Sequence, residues 1–208
     1  MGFLRTRLQA NESLPDQGNS DAQLVARARQ GDAQAFALLY RRYLDQVYNF
    51  CAYRLESREA AEDATQTIFL KAVSSLPQCR DGTVFAGWLF AIARNVINDQ
   101  YRSRKLATQP LESAPDIEDR SDSPERLAEQ AESARELARL RADCLNASER
   151  ELLDLRLQGL NDREIAQALG RNHGTIRTAQ YRMVLKLREC LDQPRPSSKA
   201  QEVTHVEG

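Results

Sequence analysis

The sequence predicts an all-α protein with two small helical domains, an N-terminal helical bundle and a C-terminal helix-turn-helix, joined by a flexible acidic linker. Apolar residues recur at three- and four-residue intervals in two long stretches of the chain. Runs of β-branched residues that alternate with polar ones, which are typical of strands, do not occur. Between the two stretches lies a segment rich in proline and acids, whose composition is typical of a linker.

These changes of composition divide the 208 residues into five parts. We expect a disordered arm over residues 1–20, a helical domain over 21–105, the acidic linker over 106–124, a second helical domain over 125–191 and a disordered tail over 192–208.

Four helices are predicted in the first domain: about Ala22–Gln30, a second that Asp32 caps, about Arg58–Leu76, and about Val84–Arg104. In each of the last three, the apolar side chains share one face. The second carries Phe36, Leu39, Tyr40, Tyr43, Val47 and Phe50; the third Ala61, Ala64, Ile68, Ala72, Val73 and Leu76; the fourth Phe85, Trp88, Leu89, Ile92 and Val96. These faces can bury one another as a bundle.

Two reciprocal caps and two glycines predict three helices in the second domain. Asn146 and Glu149 form an Asn-x-x-Glu pair, Asn161 and Glu164 repeat it, and Gly159 and Gly170 permit the turns. The third helix begins near His173 and turns Ile176, Met183, Leu187 and Leu191 inward. A short helix, a glycine-containing turn and a longer helix make a helix-turn-helix.

Composition excludes several classes of function. No apolar run approaches the roughly 20 residues of a membrane span, so we expect no membrane insertion. The sequence has no Gly-rich phosphate loop, no Gly-x-Ser-x-Gly and no His-Glu-x-x-His, so we predict no catalytic residues, no enzyme activity and no cofactor. The four cysteines form no Cys-x-x-Cys pair, which indicates reduced cytosolic thiols and no metal site. A redox role for one of them is the alternative.

Charge is uneven along the chain although its net value is only −1. Residues 21–105 carry +3, residues 106–144 carry −5 and residues 145–191 carry +2. Because phosphate attraction is local, two mildly basic blocks beside an acidic connector remain compatible with nucleic-acid binding.

The last helix has a basic outer side with residues suited to a DNA major groove. There Arg can read guanine, and Thr can contact a thymine methyl group or a phosphate. Lys186 and Arg188 extend the basic side. The alternative is a helical hairpin with a solvated charged face. The candidate DNA-binding residues are Arg171, His173, Thr175, Arg177, Thr178 and Arg182.

The fourth helix of the first domain carries cations and amides on one stripe, a pattern that suits opened DNA. The alternative is an ordinary solvated face. A loop around Arg80 and Asp81 precedes this helix, where a flipped base could be received. Phe85 and Trp88 are interpreted as core residues. The candidate residues on the stripe are Arg94, Asn95, Asn98 and Arg102.

An acidic outer stripe on the third helix is either a solvated face or a surface for a protein partner. Its members are Glu59, Glu62, Asp63 and Gln66.

Three motifs in this order resemble the extracytoplasmic-function (ECF) group of bacterial sigma factors. Residues 61–69 (AEDATQTIF) resemble the family's polymerase-binding helix, residues 85–102 its promoter −10 recognition and melting helix, and residues 159–177 its −35-reading helix-turn-helix.

The resemblance implies a cytoplasmic RNA polymerase sigma factor that directs core polymerase to promoters. The stripe with Glu62 and Asp63 would bind polymerase, the stripe with Asn95 and the Arg80 loop would capture single-stranded −10 bases, and Arg182 and its neighbours would read the duplex −35 element. An anti-sigma partner is expected. The alternatives are a stand-alone helix-turn-helix regulator and a helical adaptor that binds no DNA.

Overall fold

A computed structural model describes residues 19–79, 84–107, 139 and 141–192, with the side chains of the second range described as far as residue 103. Seven α-helices lie wholly within these residues, residues 141–144 are also helical, and none of the described residues is in a strand, which confirms the all-α prediction. The helices are α1 (Asp21–Arg29), α2 (Ala33–Ala52), α3 (Arg58–Ser75), α4 (Phe85–Ala107), α5 (Ala147–Leu157), α6 (Asp162–Leu169) and α7 (His173–Asp192). A short 3-10 helix, Leu76–Gln78, follows α3.

The chain forms two compact units, one within Met1–Asp116 and Leu155–His173, the other within Ile117–Asp154 and Gly174–Gly208. The loop with Arg80 and Asp81, and nearly all of the acidic linker, of the N-terminal arm and of the C-terminal tail, lie outside the described residues.

The first two helices begin where side chains satisfy their first backbone N–H groups. The Ser20 side chain accepts from the N–H of Gln23, and the Gln23 side chain accepts from the N–H of Ser20. Asp32 caps α2 as predicted, since its carboxylate accepts from the N–H groups of Gln34 and Ala35. The Ala35 hydrogen bond and the Arg27 side chain lower the pKa of Asp32.

Apolar faces of α2, α3 and α4 form the core of the first unit. Phe50 contacts Phe90 edge-on at 5.3 Å between ring centroids, and Tyr43 contacts Phe85 at 5.4 Å. Val73 departs from the prediction: it was expected to face inward but is 50% exposed. Its position in the last turn of α3 points it away from the face that carries the buried residues Ala61, Ala64, Ile68 and Ala72.

Asp21 joins α1 to α2. Its carboxylate accepts hydrogen bonds from the Arg42 guanidinium and from the Tyr43 hydroxyl, while Arg42 also donates to the Asn19 carbonyl at 3.1 Å. Burial, the hydrogen bond to Asp21 and the negative charge of Asp21 all raise the pKa of Tyr43. The phenol therefore remains a hydrogen-bond donor at neutral pH, and α1 stays fixed to the bundle.

Helix α6 packs on α4 at Gly87, and both lie in the first unit. A Cβ atom at Gly87 would come within 2.6 Å of the Glu164 carbonyl oxygen and 3.0 Å of the Gln167 Cβ. The close approach of the two backbones therefore requires glycine at this position.

The predicted caps and glycine turns of the second half of the chain are confirmed. Asn146 and Glu149 exchange two hydrogen bonds of 3.0 Å at the start of α5, and Asn161 and Glu164 form a capping box on α6. Gly159 and Gly170 have φ angles of +82° and +61°, a left-handed conformation that favours glycine. Helix α7 begins at His173, as predicted.

Ion pairs and a disulfide hold the second unit together. The Arg141 guanidinium donates two hydrogen bonds of 2.8 and 2.9 Å to the carboxylate of the buried Asp154. The Lys186 ammonium donates to the Glu149 carboxylate at 2.6 Å. Burial by itself would raise the pKa of Glu149, but the hydrogen bonds from Lys186 and from the Asn146 backbone, together with the positive charge of Lys186, outweigh burial and lower the pKa. Cys144 and Cys190 form a disulfide.

The expectation of reduced cysteines is therefore wrong for Cys144 and Cys190, because the fold brings together two residues that lie 46 positions apart. Cys51 and Cys79 are buried thiols. Burial raises the pKa of Cys51 to about 11, so this thiol stays protonated at neutral pH.

Fewer residues of α7 are buried than its periodicity predicted. Ile176 and Met183 are buried, which confirms that part of the prediction, and Leu187 is half-buried. Leu191 is 58% exposed, so the expectation that it faces inward is wrong. It lies in the last turn, next to the end of the described chain, where no described residue covers it.

We predict that Gly87→Ala lowers the stability of the first unit. In a helix that nothing approached, alanine would stabilise by about 0.5–1 kcal/mol relative to glycine. Here the methyl group must displace α6, at a cost of roughly 1–3 kcal/mol. These two effects change the free energy of unfolding in opposite directions, and thermal unfolding of the full chain shows which one dominates. A raised melting temperature would contradict the packing of α6 on Gly87.

Candidate nucleic-acid and protein interfaces

Three of the four candidate residues on the acidic stripe of α3 are exposed. Glu59, Asp63 and Gln66 follow one another at intervals of four and three, which places them on one side of the helix. Glu62 is half-buried and pairs with Arg58 at 2.9 Å on the same helix. The stripe therefore offers the Asp63 carboxylate and the Gln66 amide to a partner, while the charge of Glu62 is partly neutralised.

Two apolar residues continue this stripe and were missed in the sequence. Leu70 is 72% exposed and Val73 is 50% exposed, and both follow Gln66 at the same helical spacing. Both continue the helical spacing of Asp63 and Gln66, but spacing alone does not say whether a neighbouring helix covers an apolar residue, and Val73 was predicted to face inward. We call the set Glu59, Asp63, Gln66, Leu70 and Val73 the α3 stripe.

The candidate residues of α4 lie on the helix face that the core leaves uncovered. Asn95 and Arg102 are exposed, and Arg94 and Asn98 are half-buried. Arg80 and Asp81, the other two residues of this group, lie outside the described residues.

A groove of about 510 Å³ runs between the end of α3 and this face of α4. Its polar lining combines Asn95, Asn98, Asp99 and Arg102 with three residues that the sequence analysis missed, Lys71, Ser74 and Ser75. Asp99 lies 4.0 Å from the Lys71 ammonium and 3.8 Å from the Arg102 guanidinium, and all three side chains are exposed by half or more. Exposed pairs at these distances are weak, so either cation can turn to another anion at small cost.

The aromatic residues of α4 differ in their exposure to solvent. Phe85 is buried, which confirms its interpretation as a core residue, and Trp88 is half-buried beside it at 5.6 Å between ring centroids. Tyr101 is 44% exposed, and its hydroxyl donates to the backbone carbonyl of Arg54. Its ring is thus held in place at the surface.

The DNA-binding candidates at the start of α7 and in the turn before it are all exposed: Arg171, His173, Thr175, Arg177, Thr178 and Arg182. The hydroxyl of Thr178 donates to the Gly174 carbonyl at 3.3 Å, which leaves its methyl group to contact a thymine. Lys186 was counted on the basic outer side, but its ammonium is taken by Glu149, so it belongs to the fold of the second unit.

The described residues show neither a metal site nor a membrane span. None of their clusters of His, Cys, Asp and Glu reaches the three ligands that would hold a metal ion. In the same residues no helix is both long and apolar enough to cross a bilayer.

Comparisons with known proteins place the chain in a family. The Sigma-70 region 2 family matches residues 39–106. ECF RNA polymerase sigma factor BldN of Streptomyces coelicolor is 37% identical over 176 residues, 81% of this chain and 65% of that protein. ECF RNA polymerase sigma factor SigD of Mycobacterium tuberculosis is 30% identical over 189 residues, 88% of this chain and 89% of that one.

The structure of CnrH in complex with the cytosolic domain of CnrY shares the fold. It superposes with a TM-score of 0.62 and 24% identity, and the match covers 84% of this chain and 98% of that one.

The family follows from SigD of Mycobacterium tuberculosis, which is 30% identical and is covered over 89% of its length, and the region 2 match agrees with it. The chain belongs to the ECF RNA polymerase sigma factors. Neither a stand-alone helix-turn-helix regulator nor a helical adaptor that binds no DNA is favoured, because neither class accounts for these relatives.

Proposed function

We propose that this chain recruits core RNA polymerase to promoters and helps to open the −10 element, in the cytoplasm and without catalytic residues or a cofactor of its own. The observation that carries the proposal is that the first unit exposes two neighbouring surfaces of different chemistry. The α3 stripe is acidic and apolar, and the groove beside it is lined by amides and cations.

The α3 stripe is the proposed polymerase-binding surface. Leu70 and Val73 expose apolar side chains that lose contact with water when a partner covers them, which is a main source of binding free energy. Glu59 and Asp63 add charges that select and orient a basic partner surface. Because Glu62 is paired with Arg58, we assign it a supporting role.

The groove is the proposed site for the unpaired −10 strand. Asn95 and Asn98 supply amides that can donate to and accept from base edges, while Lys71 and Arg102 can leave Asp99 for phosphates. Binding to the separated strand offsets the cost of unpairing it, so opening requires no chemical step. Arg94 and the loop with Arg80 and Asp81 complete the proposed contact.

The exposed residues of α7 and the preceding turn are proposed to bind the duplex −35 element. Arg177, Thr178 and Arg182 would reach base edges, while Arg171, His173 and Thr175 would lie near phosphates. An α-helix fits the major groove of B-DNA, where the four base pairs are distinguishable.

A protein partner that withholds the chain from polymerase, an anti-sigma factor, is also proposed. CnrH, which shares the fold, was solved in complex with the cytosolic domain of CnrY. The exposed apolar residues Leu70 and Val73 are of the kind that such a partner would cover.

We predict that Asp63→Arg weakens binding to core polymerase by tenfold or more, because the reversed charge opposes a basic partner surface. Pull-down with purified core enzyme measures the effect, and circular dichroism verifies the fold. Asp45→Arg, the same exchange at an exposed position of α2, is the control. Unchanged binding of the folded Asp63 variant would refute the assignment of the α3 stripe.

Asn95→Ala is expected to slow opening of the −10 element by about two- to tenfold, the value of one net hydrogen bond, without weakening polymerase binding. A fluorescent base in the −10 element reports opening. Asn49→Ala, at an exposed asparagine of α2, should behave as wild type. Equal opening rates for the two variants would remove Asn95 from the proposed site.

Arg182→Ala should weaken use of the −35 element by about 1–3 kcal/mol and relax the preference at one base position. Selection of promoters from a randomised −35 library by the reconstituted holoenzyme measures both. Arg188→Ala removes an equal charge from an exposed position of α7 and should leave the preference intact. An unchanged preference in the Arg182 variant would contradict base reading by this residue.

A further inference from the structure

The disulfide between Cys144 and Cys190 encloses three helices. Cys144 ends the helical turn of residues 141–144 before α5, and Cys190 lies in the last turn of α7. The Cα atoms are 6.4 Å apart and the sulfurs belong to the same compact unit. The bond therefore fastens the end of the proposed recognition helix to the segment that precedes α5.

Ion pairs keep the two cysteines close to each other independently of the bond. Arg141 holds the segment of Cys144 to α5 through Asp154, and Glu149 at the start of α5 holds α7 through Lys186. Lys186 is one turn of helix before Cys190. When the bond is reduced, these links still hold the two thiols near each other, so the bond can break and reform without unfolding of the unit.

The four cysteines differ in access to solvent. Cys144 and Cys190 are partly exposed, whereas Cys51 and Cys79 are 0% and 2% exposed. Burial also keeps the Cys51 thiol protonated, and a protonated thiol is a poor nucleophile. An oxidant or reductant in solution can therefore reach Cys144 and Cys190, whereas Cys51 and Cys79 are shielded from it by the surrounding protein.

We propose that Cys144 and Cys190 are a reversible redox pair that controls the order of α7. In the cytoplasm a disulfide that forms at all is usually transient and redox-sensing. The disulfide between Cys144 and Cys190 can form and break whether or not the chain binds promoters. Its effect on −35 binding rests on the proposed function, since α7 is the proposed recognition helix.

The oxidation balances with a hydroperoxide as the oxidant. One thiol attacks the peroxide oxygen, which gives a sulfenic acid and, from hydrogen peroxide, one water. The second thiol attacks that sulfur, forms the S–S bond and releases a second water. Two electrons pass from the two thiols to the peroxide. A dithiol reductant returns two electrons and two protons and is itself oxidised to a disulfide.

The full-length chain is treated with hydrogen peroxide or with dithiothreitol, and peptides are mapped by mass spectrometry. We expect peroxide to link the peptides of Cys144 and Cys190 while Cys51 and Cys79 remain thiols, and a glutathione buffer of cytosolic poise to break the link. Failure to form the link in the folded chain, or a link that survives that buffer, would overturn the proposal.

Hydrogen exchange of α7 in the same samples measures the consequence. We expect exchange to be slower by about tenfold or more in the oxidised chain, because the bond closes a long loop. The double variant Cys144→Ser, Cys190→Ser should exchange at one rate under both conditions. Equal α7 exchange in oxidised and reduced wild type would also overturn the proposal. Binding of the holoenzyme to the −35 element is measured on the same samples, and absence of that binding in both redox states would count against the promoter assignment alone.

Discussion

The rotational setting of α4 is the constraint on which the first unit depends. Phe85, Leu89 and Phe90 are buried on one side of this helix, while Asn95 and Arg102 are exposed on another. Successive residues of an α-helix differ by about 100°, so a slip of one position would place aromatic rings in water and amides in the core. The cost of that exchange fixes which side chains line the groove, and the close contact at Gly87 fixes the same helix near its start.

The ion pairs of the two units differ in burial and in strength. Asp99 in the first unit is only loosely paired with Lys71 and Arg102, at the surface, where water screens the attraction. Asp154 in the second unit is 1% exposed and held in a bidentate pair, where loss of its partner costs about 3–5 kcal/mol. The loose pairs suit a surface that must exchange partners, and the buried pair suits a part of the structure that must persist.

The helix starts could be predicted from the sequence because each cap is local. Asp32 and Asn161 bond backbone groups only two or three residues away, so the signal lies within a few letters. Exposure of Val73 could not be predicted, because helical periodicity does not say whether a neighbour covers a face. The groove and the disulfide required the tertiary fold, which brings α3 to α4 and Cys144 to Cys190. The promoter and polymerase roles of individual residues stay predictions.

The Arg141–Asp154 pair decides where the chain can be cut if the second unit is to be studied by itself. A fragment cut at the Asn146 cap would look complete by its helices, yet it would keep the Asp154 carboxylate and discard the guanidinium that neutralises it. The excised piece would then lack the bidentate ion pair of a carboxylate that is only 1% exposed. A fragment that keeps this pair must therefore begin before Arg141, which lies outside the helices that the Asn146 cap would suggest as the limit.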